Sequence, residues 1–188
     1  SRLYASYHVG NNVLSIDTVT LHEVSPRFIF NVTNRYFNDN LISRDGTRMY
    51  VSNTYGVIIF GNNGGLIKDL QTNPAFNLTK LALTPNTARL YSTSNASIVI
   101  IDTTTNDVAK ILTNLSPTNL AINANTAIYR AFVTESTANS VRIIDTQTEE
   151  PIGSIPGFDR PTAIACNPNN NTLYVANNGT NTIAVVST

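Results

Sequence analysis

The side chains with the widest chemical repertoire are scarce in this sequence. There are two histidines, His8 and His22, one cysteine, Cys166, and twelve acidic residues set against twelve basic ones. Acid–base, nucleophilic or metal chemistry needs several such groups converging on one point. No H-x-x-x-H, C-x-x-C or G-x-S-x-G pattern occurs. Cys166 lies in the apolar run Ala-Ile-Ala-Cys, where a buried, inert thiol is expected. Being alone, it forms neither an intrachain disulfide nor a multi-cysteine metal site. The segment 177–181 (NNGTN) lacks the closely spaced carboxylates that calcium requires. The segment 61–65 (GNNGG) lacks the Lys-Ser/Thr ending of a phosphate loop. No catalytic residue, metal or cofactor is therefore expected.

Binding chemistry is easier to place. In the segment 157–161 (GFDRP), Phe158, Asp159 and Arg160 stand together and form the best single contact candidate. The bland alternative is a solvated Asp–Arg pair, which contributes little. Further candidates are His8, Arg35, Tyr36 and Tyr55, for reasons that depend on the elements carrying them. Six N-x-[ST] acceptor patterns begin at Asn31, Asn77, Asn95, Asn114, Asn170 and Asn178.

Those elements repeat. Segments starting at Arg2 (RLYASYHVGNNVLSIDT), Arg48, Arg89, Arg130 and Thr172 (TLYVANNGTNTIAVVST) align on the aromatic anchors Tyr4, Tyr50, Tyr91, Phe132 and Tyr174, spaced 46, 41, 41 and 42 residues apart. The repeats run over about residues 2–47, 48–88, 89–129 and 130–171, with a half repeat at 172–188. Each holds four short runs rich in Ile, Val and Tyr, separated by Asn, Gly, Thr and Asp clusters, with no helical periodicity. Four antiparallel strands per repeat of about 42 residues is the blade of an all-β propeller. The Asp of each I-D-T (Asp17, Asp102, Asp145) is expected to cap a turn through its carboxylate, and the aromatic anchors are expected to pack between blades.

The stretches Ser43–Asn53 (SRDGTRMYVSN) and Asn167–Thr188 (NPNNNTLYVANNGTNTIAVVST) resemble the YVTN repeat family of β-propellers, and the likeness runs through the whole chain. The absence of tryptophan argues against WD-type blades. The resemblance implies an exported or surface-layer-like propeller that is a structural or binding module. An alternative is a lyase- or lactonase-type propeller enzyme with its site at the channel mouth.

With strands lettered A (innermost) to D, the chain reads B-C-D, three complete blades, then A-B-C. The expectation is a single propeller over residues 1–188 forming a partial ring of about four and a half blades. The ring would be completed by further blades of the same or another chain. In a propeller the D-to-A and B-to-C connections share the channel mouth, which is why His8, Arg35, Tyr36, Tyr55, Phe158, Asp159 and Arg160 are the candidate contacts.

Composition narrows the partners. Charged residues are 13% of the chain and the formal net charge is +0, with no basic cluster to displace counterions from nucleic acid. No apolar run approaches the roughly 20 residues that span a bilayer. An Asn/Thr-rich, weakly charged surface with six acceptor patterns points to a secreted or cell-surface glycoprotein, and the resemblance implies a protein or glycan partner.

Overall fold

The computed structural model describes residues 2–6, 12–17, 19–20, 22, 28–29, 35–72, 76–125 and 128–188, with only the backbone of 2–6, 12–17 and 28–29. His8 and Asn31 lie outside the described residues. Strand follows strand: β1 (Arg2–Ser6), β2 (Asn12–Asp17), β3 (Phe28–Ile29), β4 (Phe37–Ile42), β5 (Arg48–Asn53), β6 (Gly56–Gly61), β7 (Leu66–Gln71), β8 (Leu81–Leu83), β9 (Arg89–Thr93) and β10 (Ile98–Asp102). They continue as β11 (Asp107–Leu112), β12 (Pro117–Ile122), β13 (Arg130–Glu135), β14 (Ser140–Asp145), β15 (Glu150–Pro156), β16 (Pro161–Asn167), β17 (Thr172–Asn177) and β18 (Thr182–Ser187). Among the described residues no helix is long and apolar enough to cross a membrane.

The strands form five sheets in chain order: β1-β2-β3, β4 to β7, β8 to β11, β12 to β15, and β16-β17-β18. This is the expected count of three strands, three complete sets of four, and three. The chain divides into two compact units, Ser1–Leu81 and Ala82–Thr188.

Burial follows strand order. In the fourth sheet β13 is buried along almost its whole length, whereas β15 is exposed along almost all of its own. In the three four-stranded sheets the second strand is covered on both faces, which is why its sequence is apolar at consecutive positions rather than alternating. Inside the second unit the contacts show what covers it. Tyr91 and Ile100 pack with Leu120, Ala131, Val133 and Ile144 of the following sheet. Phe132 and Val141 pack likewise with Leu173 and Val175 of the sheet after that. Tyr91 and Phe132 therefore meet the expectation of packing between sheets, and Tyr50 is buried too. Tyr174 departs from it: 40% of its surface is exposed.

The innermost strands carry a shared irregularity. Register slips by one residue between Phe37 and Asp39, between Pro117 and Asn119, and between Pro161 and Ala163. The extra residue of such a bulge leaves the ladder and its side chain is re-aimed. Asn38 Nδ2 donates to Leu78 O at 2.7 Å, and Thr118 Oγ1 donates to Pro161 O at 2.9 Å. In both cases the bulged side chain bonds the backbone about one repeat further along the chain.

The turns are built from side-chain caps. Asp102 Oδ1 accepts from Thr104 N and Thr105 N, and Asp145 Oδ1 accepts from Gln147 N and Thr148 N, as the I-D-T reading requires. These backbone donors hold both carboxyls below their ordinary range. Asp17 belongs to a strand whose side chains are not described.

Candidate functional site

Charged side chains near the sheet ends are mostly tied to one another. In the first unit Arg35 is 9% exposed and grips Asp69 with two parallel bonds of 2.6 and 2.9 Å. Its guanidinium lies 5.6 Å from the centre of the Tyr55 ring, close enough for a cation–π contact. Burial alone would raise the Asp69 carboxyl, but the bonds from Arg35 and Gln71 outweigh it and hold the group low. Tyr36 and Tyr55 are partly open to solvent. The structure thus brings Arg35 and Tyr55 together, with Arg35 committed to an ion pair.

The segment 157–161 divides. Phe158 turns inward and joins the core beside Phe132 and Leu173. It supports the sheet rather than facing a ligand. Asp159 and Arg160 remain exposed, with only a long 3.8 Å approach between their charges. Their backbone N–H groups are anchored by Asn177 Oδ1 and Asn139 Oδ1. Glu135 is buried, but it accepts from Arg142 Nε at 2.9 Å and from Ser116 N at 3.3 Å. Asn95, Asn114, Asn170 and Asn178 are exposed, whereas Asn77 is half-buried and accepts from Asn38 Nδ2. Cys166 is partly buried, and burial raises its thiol. Among the described residues no group of three His, Cys, Asp or Glu side chains is placed to hold a metal.

A different place holds a well-formed depression. Within the second unit a cavity of about 360 Å³ opens between residues of three strand connections: 84–88, then Asn125, Ile128 and Tyr129, then 146–149. These link the first strand to the second and the third to the fourth. The cavity therefore lies at the opposite ends of the strands from the connections singled out in the sequence. At its wall Arg89 Nη1 donates to Asp102 Oδ2 at 2.6 Å, its register partner across β9 and β10, and Arg89 Nε donates to Glu149 Oε1 at 2.5 Å. The Glu149 bond is the main reason the guanidinium is held more firmly protonated than usual. A second depression of about 300 Å³, which includes Arg130, Asp145 and Ile152, shares Ile128 and Tyr129 with the first.

Three residues here were not singled out from the sequence for this role: Tyr129, Gln147 and Glu149. One signal was present. The turn Ser43–Arg48 places Gly46 at φ +70°, and the matching turn Thr84–Arg89 places Thr87 at φ +58°. A β-branched residue there is an outlier. Glu149 repeats the anomaly at φ +60°, where the equivalent turn uses Asn106.

No protein-family model and no curated protein matches the chain. Solved structures do. A functionally unknown protein from Desulfotomaculum acetoxidans superimposes with a TM-score of 0.85 at 16% identity, over 98% of this chain and 61% of that one. Kuenenia stuttgartiensis hydrazine synthase gives 0.79 at 17% identity, over 93% of this chain and 52% of that one. The C-terminal WD40 domain of Sif2 gives 0.77 at 11% identity, over 100% of this chain and 54% of that one. The fold is a β-propeller. The chain spans between half and two thirds of the length of these structures, and its sheets are propeller blades.

Proposed function

We propose that this propeller is a non-enzymatic binding module of the YVTN repeat type, exposed outside the cell. One observation carries the reading. Among the described residues, Asp102 and Asp145 serve as turn caps, and Arg35–Asp69, Arg89–Glu149 and Arg142–Glu135 as ion pairs. A cavity lined by both polar and apolar groups and the exposed apolar side chains of the last sheet suit recognition rather than bond-breaking. The four exposed acceptor asparagines on turns are compatible with glycosylation.

The exposed face of the last sheet is where further blades, of the same or another chain, would pack. Tyr174, Ile183 and Val185 lie on one side of the last sheet and are 40%, 69% and 64% exposed. Phe132, at the register position of Tyr174, is sealed by Leu173 and Val175 of the following blade. The occupant that fits Tyr174 is therefore another blade presenting the same apolar face. The test of the whole reading is fractionation of the native protein with glycan-mass analysis, together with capture assays against extracellular polysaccharide and envelope protein. Export with saturable capture is expected. A cytosolic, unglycosylated protein that captures nothing would refute it.

A further inference from the structure

We infer that the cavity lined by Asn86, Arg89, Tyr129, Gln147 and Glu149 is a saccharide site for a neutral oligosaccharide, with Tyr129 as the platform between two subsites. This rests on the binding reading above and gives it a place and a ligand class. The argument begins with charge. Arg89 and Glu149 line the cavity and neutralise each other at 2.5 Å, while Asp102 takes a second edge of the guanidinium at 2.6 Å. No lysine lines the cavity. A phosphate or carboxylate would meet no net positive charge there, so an anion is a poor match.

The remaining polar groups suit hydroxyls, each of which both donates and accepts. Asn86 Oδ1 accepts from Thr84 Oγ1 at 2.7 Å and from Ala88 N at 3.1 Å. Those bonds fix the amide and leave its NH₂ as a donor. Gln147 offers a donor and an acceptor. Glu149 keeps Oε2 outside its ion pair, and Arg89 keeps Nη2. Planar groups of this kind bridge vicinal hydroxyls, and their rigidity lowers the ordering cost of binding. Tyr129, 44% exposed, supplies an apolar ring for the C–H face of a sugar. The same ring borders the adjoining depression of about 300 Å³, so a chain of two or more sugars would pass across it.

The backbone is a second and independent observation. Thr87 and Glu149, which stand on two of the turns around the cavity, occupy the left-handed region at φ +58° and +60°. Gly46 and Asn106 fill the corresponding slots elsewhere in the chain at no such cost. Retained strain of this kind clusters at ligand sites. At residue 149 it delivers a carboxylate to the cavity wall.

The test uses the full chain. Linear trisaccharides of glucose, mannose, galactose and N-acetylglucosamine, with uncharged hexapeptides for contrast, are titrated by saturation-transfer NMR and calorimetry. At least one trisaccharide should bind, and Tyr129→Ala should weaken it at least about tenfold. Gln147→Ala should weaken it about threefold or more, and Thr113→Ala at the opposite ends of the strands should leave it unchanged. Thermal melts confirm that each variant is folded. The inference is overturned if no trisaccharide binds, if Tyr129→Ala binds as the parent does, or if the hexapeptides alone compete for the cavity. Capture of extracellular material that survives Tyr129→Ala would remove this site while leaving the binding-module reading in place. An intracellular chain that captures nothing would remove both.

Discussion

Replacing Phe132 by alanine tests how the blades hold one another, and Tyr174→Ala supplies the control built into the repeat. Phe132 faces Ile143 on one neighbouring strand and Ala121 on the other, and Tyr174 faces Val185 and Ala165 in the same register. The two sites differ in what lies above them. Phe132 is 0% exposed beneath Leu173 and Val175, whereas 40% of Tyr174 is open to solvent. Burying an aromatic side chain removes about 150–250 Å² from water. At about 25 cal/mol per Å² that gives about 4–6 kcal/mol, and measured truncations of buried Phe cost about 3–5 kcal/mol. A partly covered tyrosine whose surroundings can relax should lose no more than about 1–2 kcal/mol. With a urea dependence of about 2 kcal/mol per molar, Phe132→Ala should lower the unfolding midpoint by about 1.5–2.5 M, and Tyr174→Ala by less than about 1 M. Far-UV circular dichroism against urea reads both. Equal shifts would refute the claim that the following blade, rather than the strand itself, makes this position stabilising.

Three further outcomes are expected. Tyr91→Phe removes a buried hydroxyl that has no hydrogen-bond partner and whose ionisation burial opposes, at a slot the next blade fills with Phe132; stability should stay level or rise by up to about 1 kcal/mol, and a loss greater than that would show a missed partner. Thr87→Gly relieves a left-handed β-branched residue whose counterpart is Gly46, so the melting temperature should rise by the equivalent of about 0.5–1 kcal/mol, and a fall would disprove the strain. Asp45 is lowered from 3.8 to about 2 by bonds from Ser43 and Thr47, and Asp69, Asp102 and Asp145 are lowered as well. Because the folded values lie below the unfolded ones, the unfolded chain takes up protons first on acidification. The stabilisation is complete above the unfolded range near 3.8 and is lost as pH falls through about 2. Asp45→Asn keeps the cap geometry that Asn86 already provides and should flatten part of that decline; a parent urea midpoint unchanged between about pH 5 and 2 would contradict it.

The fold was legible because the features that fix it are local and repeated. Aromatic anchors at nearly constant spacing, continuous apolar runs on the second strand and I-D-T turn caps each state one step of a blade. Their recurrence gave the strand count without any contact being known. What the sequence could not place was the bulge on the innermost strand. Its signature is a bonding pattern, Asn38 to Leu78 and Thr118 to Pro161, that depends on how blades are stacked. Phe158 was misread for a related reason. An aromatic in a loop beside Asp and Arg reads as a contact residue until the fold shows a gap in the core for it to fill.

The cavity escaped notice because each of its residues passes for an ordinary turn residue in its own repeat. Thr87 looks like any threonine in a polar turn, and Glu149 like an exposed acid ahead of a strand. Only superposition of the turns shows that one has replaced a glycine and the other an asparagine, each at a backbone angle that penalises the change. Repetition supplies the baseline here: identical scaffolds impose identical backbone demands, so a costly residue in one copy signals a demand of another kind. Arg89 follows the same logic. Arg48 and Arg130 occupy its slot in neighbouring repeats; Arg89 pairs with Glu149, 60 residues further along the chain, and that pair forms a wall of the cavity. In a repeat protein, departures of this kind are better guides to a site than the repeat itself.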